Sequence, residues 1–182
     1  MVLDIRNAAF ADVEAVATIH VESWRAAYAG IFPERFLKDL SVQKRSIYWQ
    51  QALRDGKPQL LVACEGPAVV GWIAFGPCRD SDKDGNWAEI EAVYVAPDAW
   101  GTGVGRRLTH SASDLLLGAG YSFLALWVLE QNFRARAFYE RNGFNADDPS
   151  KKQIQIGGVS LTELRYHCAL PGIETVSYPV IR

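Results

Sequence analysis

The stretch from Val93 to Leu108 constrains the fold more than any other part of the 182-residue chain. It starts at the end of Trp87–Val95, whose apolar residues predict a strand, and it runs into a segment with apolar residues at helical spacing. Between the two lie Gly101, Gly103 and Gly105, which allow a tight turn and let a ligand approach the backbone closely. The first N–H groups of the helix are left free, and together with the helix dipole they favour binding of a phosphate.

Two arginines, Arg106 and Arg107, stand in the first turn of this helix, where the dipole alone favours acidic residues. A bound polyanion would account for both, although solvated arginines beside a tight strand–helix turn remain an alternative. The dinucleotide fingerprint G-x-G-x-x-G is excluded because Arg106 or Leu108 occupies its last glycine position. The P-loop is excluded because this segment contains no lysine.

The rest of the chain predicts one α/β domain over residues 3–170, followed by a tail over residues 171–182. The predicted order is β-α-α-β-β-β-α-β-α-β-β, with a single clear strand–helix–strand crossover, which excludes a doubly wound sheet. We expect an α+β mixed sheet, mostly antiparallel, with helices on both faces. The predicted strands are Leu3–Arg6, Leu60–Cys64, Val69–Phe75, Trp87–Val95, Phe123–Leu129, Ile154–Ile156 and Ser160–Ala169. The predicted helices run from a cap at Asp12 to about Gly30, from Pro33 to about Leu53, from Val104 to Gly118, and over Asn132–Arg141.

Composition narrows the class of protein. The chain is 49% hydrophobic and 22% charged, as is usual for one globular domain. A net charge of −2 disfavours a nucleic-acid-coating role, which requires a basic excess. Without an apolar run of about 18 residues or a signal peptide, we expect no membrane span and a cytoplasmic protein. Three cysteines without C-x-x-C spacing, and histidines without ligand spacing, predict neither a disulfide framework nor a metal site.

Further along the chain, Asn132 is followed seven residues later by Tyr139, within F-Y-E-R-N-G-F. Together with the strand and the glycine turn, this order resembles the GNAT superfamily of acyl-CoA-dependent N-acetyltransferases. The resemblance covers about residues 3–170 and is most specific from Glu89 to Phe144. It implies transfer of an acetyl group from acetyl-CoA, with no metal, to a primary amine of a small molecule or peptide. It also implies that the amine attacks directly in a ternary complex.

In similar enzymes the CoA pyrophosphate binds backbone N–H groups of the glycine turn, which here comprises Gly101, Thr102, Gly103, Val104, Gly105 and Arg106. The pantetheine arm pairs with the preceding strand, here Val93, Tyr94 and Val95. By the same resemblance, Asn132 bonds the pantetheine, and Tyr139 lies beside the thioester sulfur as the acid. The chain departs from the family motif at one position, because Trp100 stands where similar enzymes have Arg or Gln.

The base is predicted on the strand Trp87–Val95. Strict alternation would place Glu89, Glu91, Val93 and Val95 on one face, just before the cofactor strand. Glu89 matches the general-base glutamate of histone-acetylating relatives and ranks first, with Glu91 second. Deprotonation through water, or carboxylates that only hold the acceptor's cation, remain alternatives. A strand N–H near Val95 would stabilise the charge that develops on the thioester oxygen.

The sequence gives less information about the residues that bind the amine acceptor. Trp24 and Tyr28 lie one helical turn apart, and in similar proteins this region edges the acceptor pocket, although aromatic pairs at this spacing are often core. Arg25 could meet an acceptor carboxylate or be solvated, and His20 is predicted to be a core residue. The alternative function is a non-catalytic acyl-CoA-binding sensor. The last strand and the tail could pair across a homodimer through Ile173, Val176, Tyr178, Val180 and Ile181.

Overall fold

Seven strands form one mixed sheet in the order β1-β2-β3-β4-β5-β7-β6. The computed structural model describes residues 3–170, apart from the side chains of Asp148 and Pro149. Among the described strands, β4 and β5 are the one parallel pair, and all other neighbours are antiparallel. The strands are β1 Leu3–Asn7, β2 Gln59–Glu65, β3 Ala68–Pro77, β4 Trp87–Val95, β5 Phe123–Leu129, β6 Asn145–Ile156 and β7 Val159–Ala169.

The α/β mixed-sheet class is confirmed, with one correction to the number of helices. The segment predicted as a single helix after Pro33 forms two, because Ser41 starts a new helix by accepting a hydrogen bond from the backbone N–H of Lys44 at 3.3 Å. The order is therefore β-α-α-α-β-β-β-α-β-α-β-β. The helices are α1 Val13–Ala27, α2 Glu34–Lys38, α3 Val42–Asp55, α4 Val104–Gly118 and α5 Phe133–Arg141.

The start of α1, the start of β6 and the proposed dimer contact differ from the sequence predictions or lie partly outside the described residues. Asp12 precedes α1 but does not cap it through its side chain, because its carboxylate accepts from the guanidinium of Arg6 at 2.7 and 2.8 Å and from the backbone N–H of Ala9 at 2.7 Å. Strand β6 begins at Asn145, well before the predicted Ile154, because a polar strand at a sheet edge carries no apolar alternation. The homodimer prediction rests partly on tail residues that lie outside the described part of the chain.

Helices cover both faces of the sheet. On the α4–α5 face, Val104, Leu108 and Leu116 of α4 pack with sheet residues such as Phe75 and Leu124. On the α1–α3 face, residues of α1 and α3 pack with Val62, Trp72 and Ala74. Each fully buried large apolar side chain of this kind stabilises the fold by roughly 1.5–3 kcal/mol relative to exposure. Within residues 3–170, no helix is both long and apolar enough to cross a membrane.

Strands β4 and β5 separate halfway along their length. Residues Trp87–Ile90 of β4 pair with residues 123–126 of β5. Among the described residues, the rest of β4, up to Val95, does not pair with the rest of β5, up to Leu129. The β3–β4 register also shifts at this point, since Phe75 pairs with Ile90 and Ala74 pairs with Ala92. Glu91 is the unpaired residue of a β-bulge, which bends the strand and increases its twist. The sheet is therefore split between its two central strands.

The bulge reverses the alternation of β4. Ala88 and Ile90 belong to the core of the α4–α5 face, as do Val93 and Val95 beyond the bulge, whereas Ala92 and Tyr94 pack on the α1–α3 face. The prediction that Glu89 and Glu91 share a face with Val93 and Val95 is therefore wrong. A period-2 pattern cannot reveal one extra residue in a strand.

Candidate active site

A cavity of about 800 Å³ occupies the gap between β4 and β5. Its walls come from both faces of the sheet, since the glycine turn and α5 contribute on one side and the end of α1 contributes on the other. This volume lies in the range of small-molecule and cofactor sites. Ligands that enter from opposite faces of the sheet can therefore meet in this gap.

The glycine turn adopts the conformation that its sequence predicts. Gly101 and Gly103 have φ angles of +82° and +91°, which strongly favour glycine, and Gly103 stands at the N-cap of α4. The backbone N–H of Arg107 donates to the carbonyl of Gly103 at 3.1 Å, so the N–H groups of the residues between them precede the first helical bond. At Gly105 a Cβ atom would lie 3.4 Å from the ring of Phe138. This arrangement fits a pyrophosphate at the start of α4.

Trp100, the residue that departs from the family motif, has a structural role. Its indole N–H donates to the carbonyl of Val95 at 2.7 Å, which ties the turn to the end of β4. The guanidinium of Arg134 lies over the indole, 3.5 Å from the ring centroid. Trp100 therefore links the strand, the turn and the first turn of α5.

Tyr139 and Asn132 are positioned by α5. Tyr139 is buried, and burial raises the pKa of its hydroxyl, with a further increase from the nearby Tyr28. It therefore keeps its proton at neutral pH and is available as a donor. Asn132 caps α5, since its side-chain oxygen accepts from the N–H of Ala135 at 3.1 Å, and its own amide N–H groups can still donate.

The two carboxylates of β4 have different surroundings. Glu89 is 4% exposed and binds the guanidinium of Arg79 through both oxygens, at 2.7 and 3.0 Å, and it also accepts from the backbone N–H of Arg79. Glu91 lines the cavity, with a guanidinium nitrogen of Arg79 at 2.9 Å. Burial raises the pKa of Glu91; Arg79 opposes this rise and Glu89 adds to it. Glu91 is thus the carboxylate of the pair that ligands in the cavity can reach.

Aromatic rings form the wall on the α1–α3 side. Trp24 packs on Phe32 with centroids 5.6 Å apart and meets the edge of Tyr28 at 4.9 Å. The Trp24 indole donates to the hydroxyl of Tyr94 at 2.7 Å. All of these residues line the cavity, as does Trp127 of β5. The predicted contribution of Trp24 and Tyr28 to a pocket therefore has geometric support.

The sequence model of the Acetyltransferase (GNAT) family matches residues 15–144. The chain belongs to the GNAT family of acetyltransferases. Among relatives of this GNAT acetyltransferase, the N-acetyltransferase YuaI of Bacillus subtilis is 31% identical over 160 residues, which are 88% of this chain and 89% of YuaI. A spermidine N(1)-acetyltransferase of Thermoplasma acidophilum is 26% identical over 81% of this chain and 91% of its own. The predicted enzyme class, an acyltransferase, is confirmed.

Solved structures share the fold of this acetyltransferase. The PaiA N-acetyltransferase of Thermoplasma acidophilum, crystallised with coenzyme A, superposes with a TM-score of 0.72 at 22% identity and covers 93% of this chain and 99% of its own. The acetyltransferase yncA of Salmonella typhimurium, crystallised with acetyl-CoA, gives a TM-score of 0.68 at 23% identity, with 99% of each chain covered. At these identities the likeness establishes the architecture.

Most predicted site residues of the acetyltransferase meet at the cavity. Two do not line it: Glu89 faces Arg79, and Thr102 donates its hydroxyl to the carbonyl of Ala99 at 2.7 Å. The assignment of Glu89 as base stays a prediction that its position does not favour. Those that line the cavity are Trp24, Tyr28, Glu91, Val93, Tyr94, Val95, Gly101, Gly103, Val104, Gly105, Arg106, Asn132 and Tyr139.

Several residues of the site were missed or misassigned from the sequence. Phe32, Trp127 and Glu163 line the cavity, but they come from separate elements without a motif, and only the pairing of Glu163 with Leu129 across β7 and β5 brings it there. Arg25 instead donates to the backbone carbonyls of residues 37, 38 and 40. Among the described residues, no three His, Cys, Asp or Glu side chains are grouped to hold a metal ion.

Proposed function

We propose that the protein transfers an acetyl group from acetyl-CoA to a primary amine by direct attack in a ternary complex. The observation that carries this proposal is the continuous cavity, which reaches the glycine turn, Tyr139 and Glu91 and so connects the groups proposed to bind CoA with those proposed to act on the amine. Of the described side chains that line it, none is a cysteine, so an acetyl-cysteine route has no candidate in the cavity.

The chain offers suitable groups for each part of acetyl-CoA. The N–H groups at the start of α4, with Arg106 beside them, suit the pyrophosphate. The edge of β4 beyond Ile90 has no β5 partner among the described residues, so its backbone groups can pair with the pantetheine arm, and Asn132 can donate to that arm from the opposite wall. Two structural neighbours were crystallised with CoA or acetyl-CoA, which supports this choice of co-substrate.

Glu91 is the base in this proposal. An alkylammonium group with a pKa near 10.4 must lose a proton before its nitrogen becomes nucleophilic, and a carboxylate at the cavity wall can accept that proton directly or through water. Two observations support Glu91 as the base: the bulge lies at this residue, which lines the cavity, and burial raises its pKa. Glu89 is a positioning residue in the same scheme, because it holds the Arg79 guanidinium that also contacts Glu91.

Tyr139 is the acid. As the amine nitrogen forms its bond to the acetyl carbon, the C–S bond breaks and the sulfur takes the electron pair. The Tyr139 hydroxyl, which stays protonated because it is buried, supplies a proton to that sulfur. After the C–N bond forms, the nitrogen loses its second excess proton to become a neutral amide, and this proton restores the Tyr139 hydroxyl. A backbone N–H near Val95 stabilises the charge on the acetyl oxygen in the transition state.

The first test measures binding by thermal unfolding with acetyl-CoA, CoA, ATP or NAD. A ligand at about 100 times its dissociation constant stabilises the native state by about 2.7 kcal/mol and raises the melting temperature by a few degrees. We expect shifts with acetyl-CoA and CoA alone. A shift with ATP or NAD but with neither CoA species would refute the cofactor assignment.

Two variants test whether CoA binds at the glycine turn, and one assay tests turnover. Gly103→Val should abolish most of the CoA shift, because its φ of +91° disfavours a side chain and the turn must change. Gly118→Ala at the far end of α4 should retain the shift, since no atom lies within 4 Å of the added Cβ. Thiol release from acetyl-CoA with primary amines then separates an enzyme from the non-catalytic sensor, which would bind CoA without releasing thiol.

A further inference from the structure

The charged residues of the cavity are segregated by face. Its arginines, Arg106, Arg134 and Arg141, all belong to α4 and α5. Its carboxylates, Glu91 and Glu163, belong to strands β4 and β7. The arginine side matches the anionic part of CoA, which leaves the carboxylate side for the other substrate.

The two carboxylates are on the α1–α3 side. Glu91 shares the guanidinium of Arg79 with Glu89, whose neighbours Ala88 and Ile90 point to the α4–α5 core. On β7, Leu164 belongs to that same core, so alternation turns Glu163 to the opposite face. A substrate entering from the α1–α3 side therefore meets two carboxylates that flank the gap.

The cations that accompany these carboxylates lie outside the cavity. Arg79 contacts Glu91 at 2.9 Å and its side chain is 61% exposed, whereas Lys152 contacts Glu163 at 3.5 Å and is 44% exposed. Neither lines the cavity. Arg25 is occupied by backbone carbonyls at the end of α2. On this side, then, the described residues that line the cavity include no Lys or Arg that could pair with a carboxylate of the substrate.

The remaining wall on this side is aromatic. Trp24, Phe32 and Trp127 line it, and their rings provide apolar surface; Lys152 lies 4.0 Å from the ring centroid of Trp127 and Arg45 lies 5.8 Å from that of Trp24, so the attraction for a cationic substrate comes mainly from the two carboxylates. From these observations we infer that the acceptor is a cationic amine on an apolar or aromatic body, with no carboxylate beside its nitrogen. An α-amino acid would bring its carboxylate against Glu91 and Glu163, and on this side no described Lys or Arg that lines the cavity could pair with it, because Arg79 and Lys152 already pair with the two glutamates. The inference rests on the proposed function, since it assumes that the amine enters from this side.

Matched pairs of substrates test the inference, because each pair differs by one carboxylate. Thiol release from acetyl-CoA is measured with tryptamine and tryptophan, with tyramine and tyrosine, and with phenethylamine and phenylalanine. We expect kcat/KM to be at least about 100-fold higher for the amine in each pair, as expected when a like charge is placed in a partly buried site. Equal use of both members, or preference for the amino acid, would overturn the inference.

A binding measurement distinguishes the two possible failures. Melting temperatures are recorded first with CoA alone and then with CoA plus each amine. No shift with CoA contradicts the proposed function. A CoA shift with neither turnover nor an additional shift from any of the three amines contradicts the acceptor inference and leaves CoA binding intact.

A variant without the Glu163 charge tests whether this residue causes the preference for amines over amino acids. Glu163→Gln should raise KM for tryptamine about 10-fold and narrow its advantage over tryptophan, while KM for acetyl-CoA stays unchanged. The matched control is Glu130→Gln, because Glu130 pairs with Lys151 at 3.0 Å and does not line the cavity. If Glu163→Gln changed kcat or the acetyl-CoA KM instead, the residue would not determine acceptor specificity.

Discussion

The indole N–H of Trp100 and the carbonyl oxygen of Val95 are joined by a hydrogen bond of 2.7 Å. The same oxygen accepts a second hydrogen bond, of 2.9 Å, from the hydroxyl of the buried Ser23. One carbonyl at the end of β4 thus connects the glycine turn with α1. This chain therefore holds the glycine turn in place with a hydrogen bond from an aromatic side chain, Trp100.

The shared carbonyl predicts non-additive losses of stability. Trp100→Phe and Ser23→Ala should each lower the free energy of unfolding by about 1 kcal/mol, because the Val95 oxygen keeps one partner. The double variant should lose at least about 0.5 kcal/mol more than the sum, because the oxygen is then without either donor. Urea unfolding of the four proteins measures the coupling. Strictly additive losses would show that the two donors act independently.

Tyr139→Phe should reduce kcat by about 100-fold while the dissociation constant of acetyl-CoA stays within about twofold, since the ring is kept and only the proton donor is removed. Steady-state kinetics and calorimetric binding provide the two values. Tyr121→Phe is the control, because Tyr121 packs at the edge of the α4–α5 core and does not line the cavity. An unchanged kcat in Tyr139→Phe would remove this residue from the acid role.

The pH dependence of kcat/KM should distinguish Glu91 from Glu89. A base with a raised pKa is active above that pKa, so activity should fall as the pH drops through it. Glu91→Gln should remove this acidic limb and lower the rate about 100-fold. Glu89→Gln removes the negative neighbour that helps to raise the pKa of Glu91, so the limb should move to lower pH while most of the rate remains. The reverse pattern would identify Glu89 as the base.

His20 should make the fold sensitive to acid. The residue is buried among Trp24, Trp49, Trp72 and Tyr94, and burial, with a smaller effect from Arg45, lowers its pKa from 6.5 to about 3. The folded state therefore binds fewer protons than the unfolded state between these values. Stability is complete above pH 6.5 and falls toward pH 3 by up to about 1.4 kcal/mol per pH unit from this group.

The corresponding variant is His20→Asn, which cannot titrate in this range. Its free energy of unfolding, measured by urea from pH 7 to pH 4, should decline less steeply than that of the wild type, whatever its absolute stability. His110→Asn is the comparison, because His110 is only partly buried and should leave most of the slope in place. Identical slopes in the wild type and His20→Asn would show that the pKa of His20 is the same in the folded and unfolded states.

Local patterns in the sequence locate most elements, because alternation, helical spacing and glycine positions act over a few residues. The glycine turn and the helix that carries Tyr139 could be predicted for that reason, whereas the roles of Asn132 and Tyr139 were inferred from the resemblance to the GNAT superfamily. The bulge at Glu91 could not, because it depends on how β4 pairs with β3. Likewise, Glu163 reaches the cavity through its pairing with Leu129, and the break before Ser41 depends on a capping bond. Long-range registration therefore accounts for most of what the sequence did not reveal.

The separation of β4 from β5 also affects the cohesion of the molecule. The parallel ladder between Trp87–Ile90 and residues 123–126 is the principal hydrogen-bonded seam between the β1–β4 half of the sheet and the β5–β7 half. A ligand that hydrogen-bonds to β4 and also contacts α5 would add a second link between the two halves of the sheet. Bound substrate would then stabilise the association of the two halves. Amide protons near the β4–β5 ladder would exchange with solvent more slowly whenever the active site is filled.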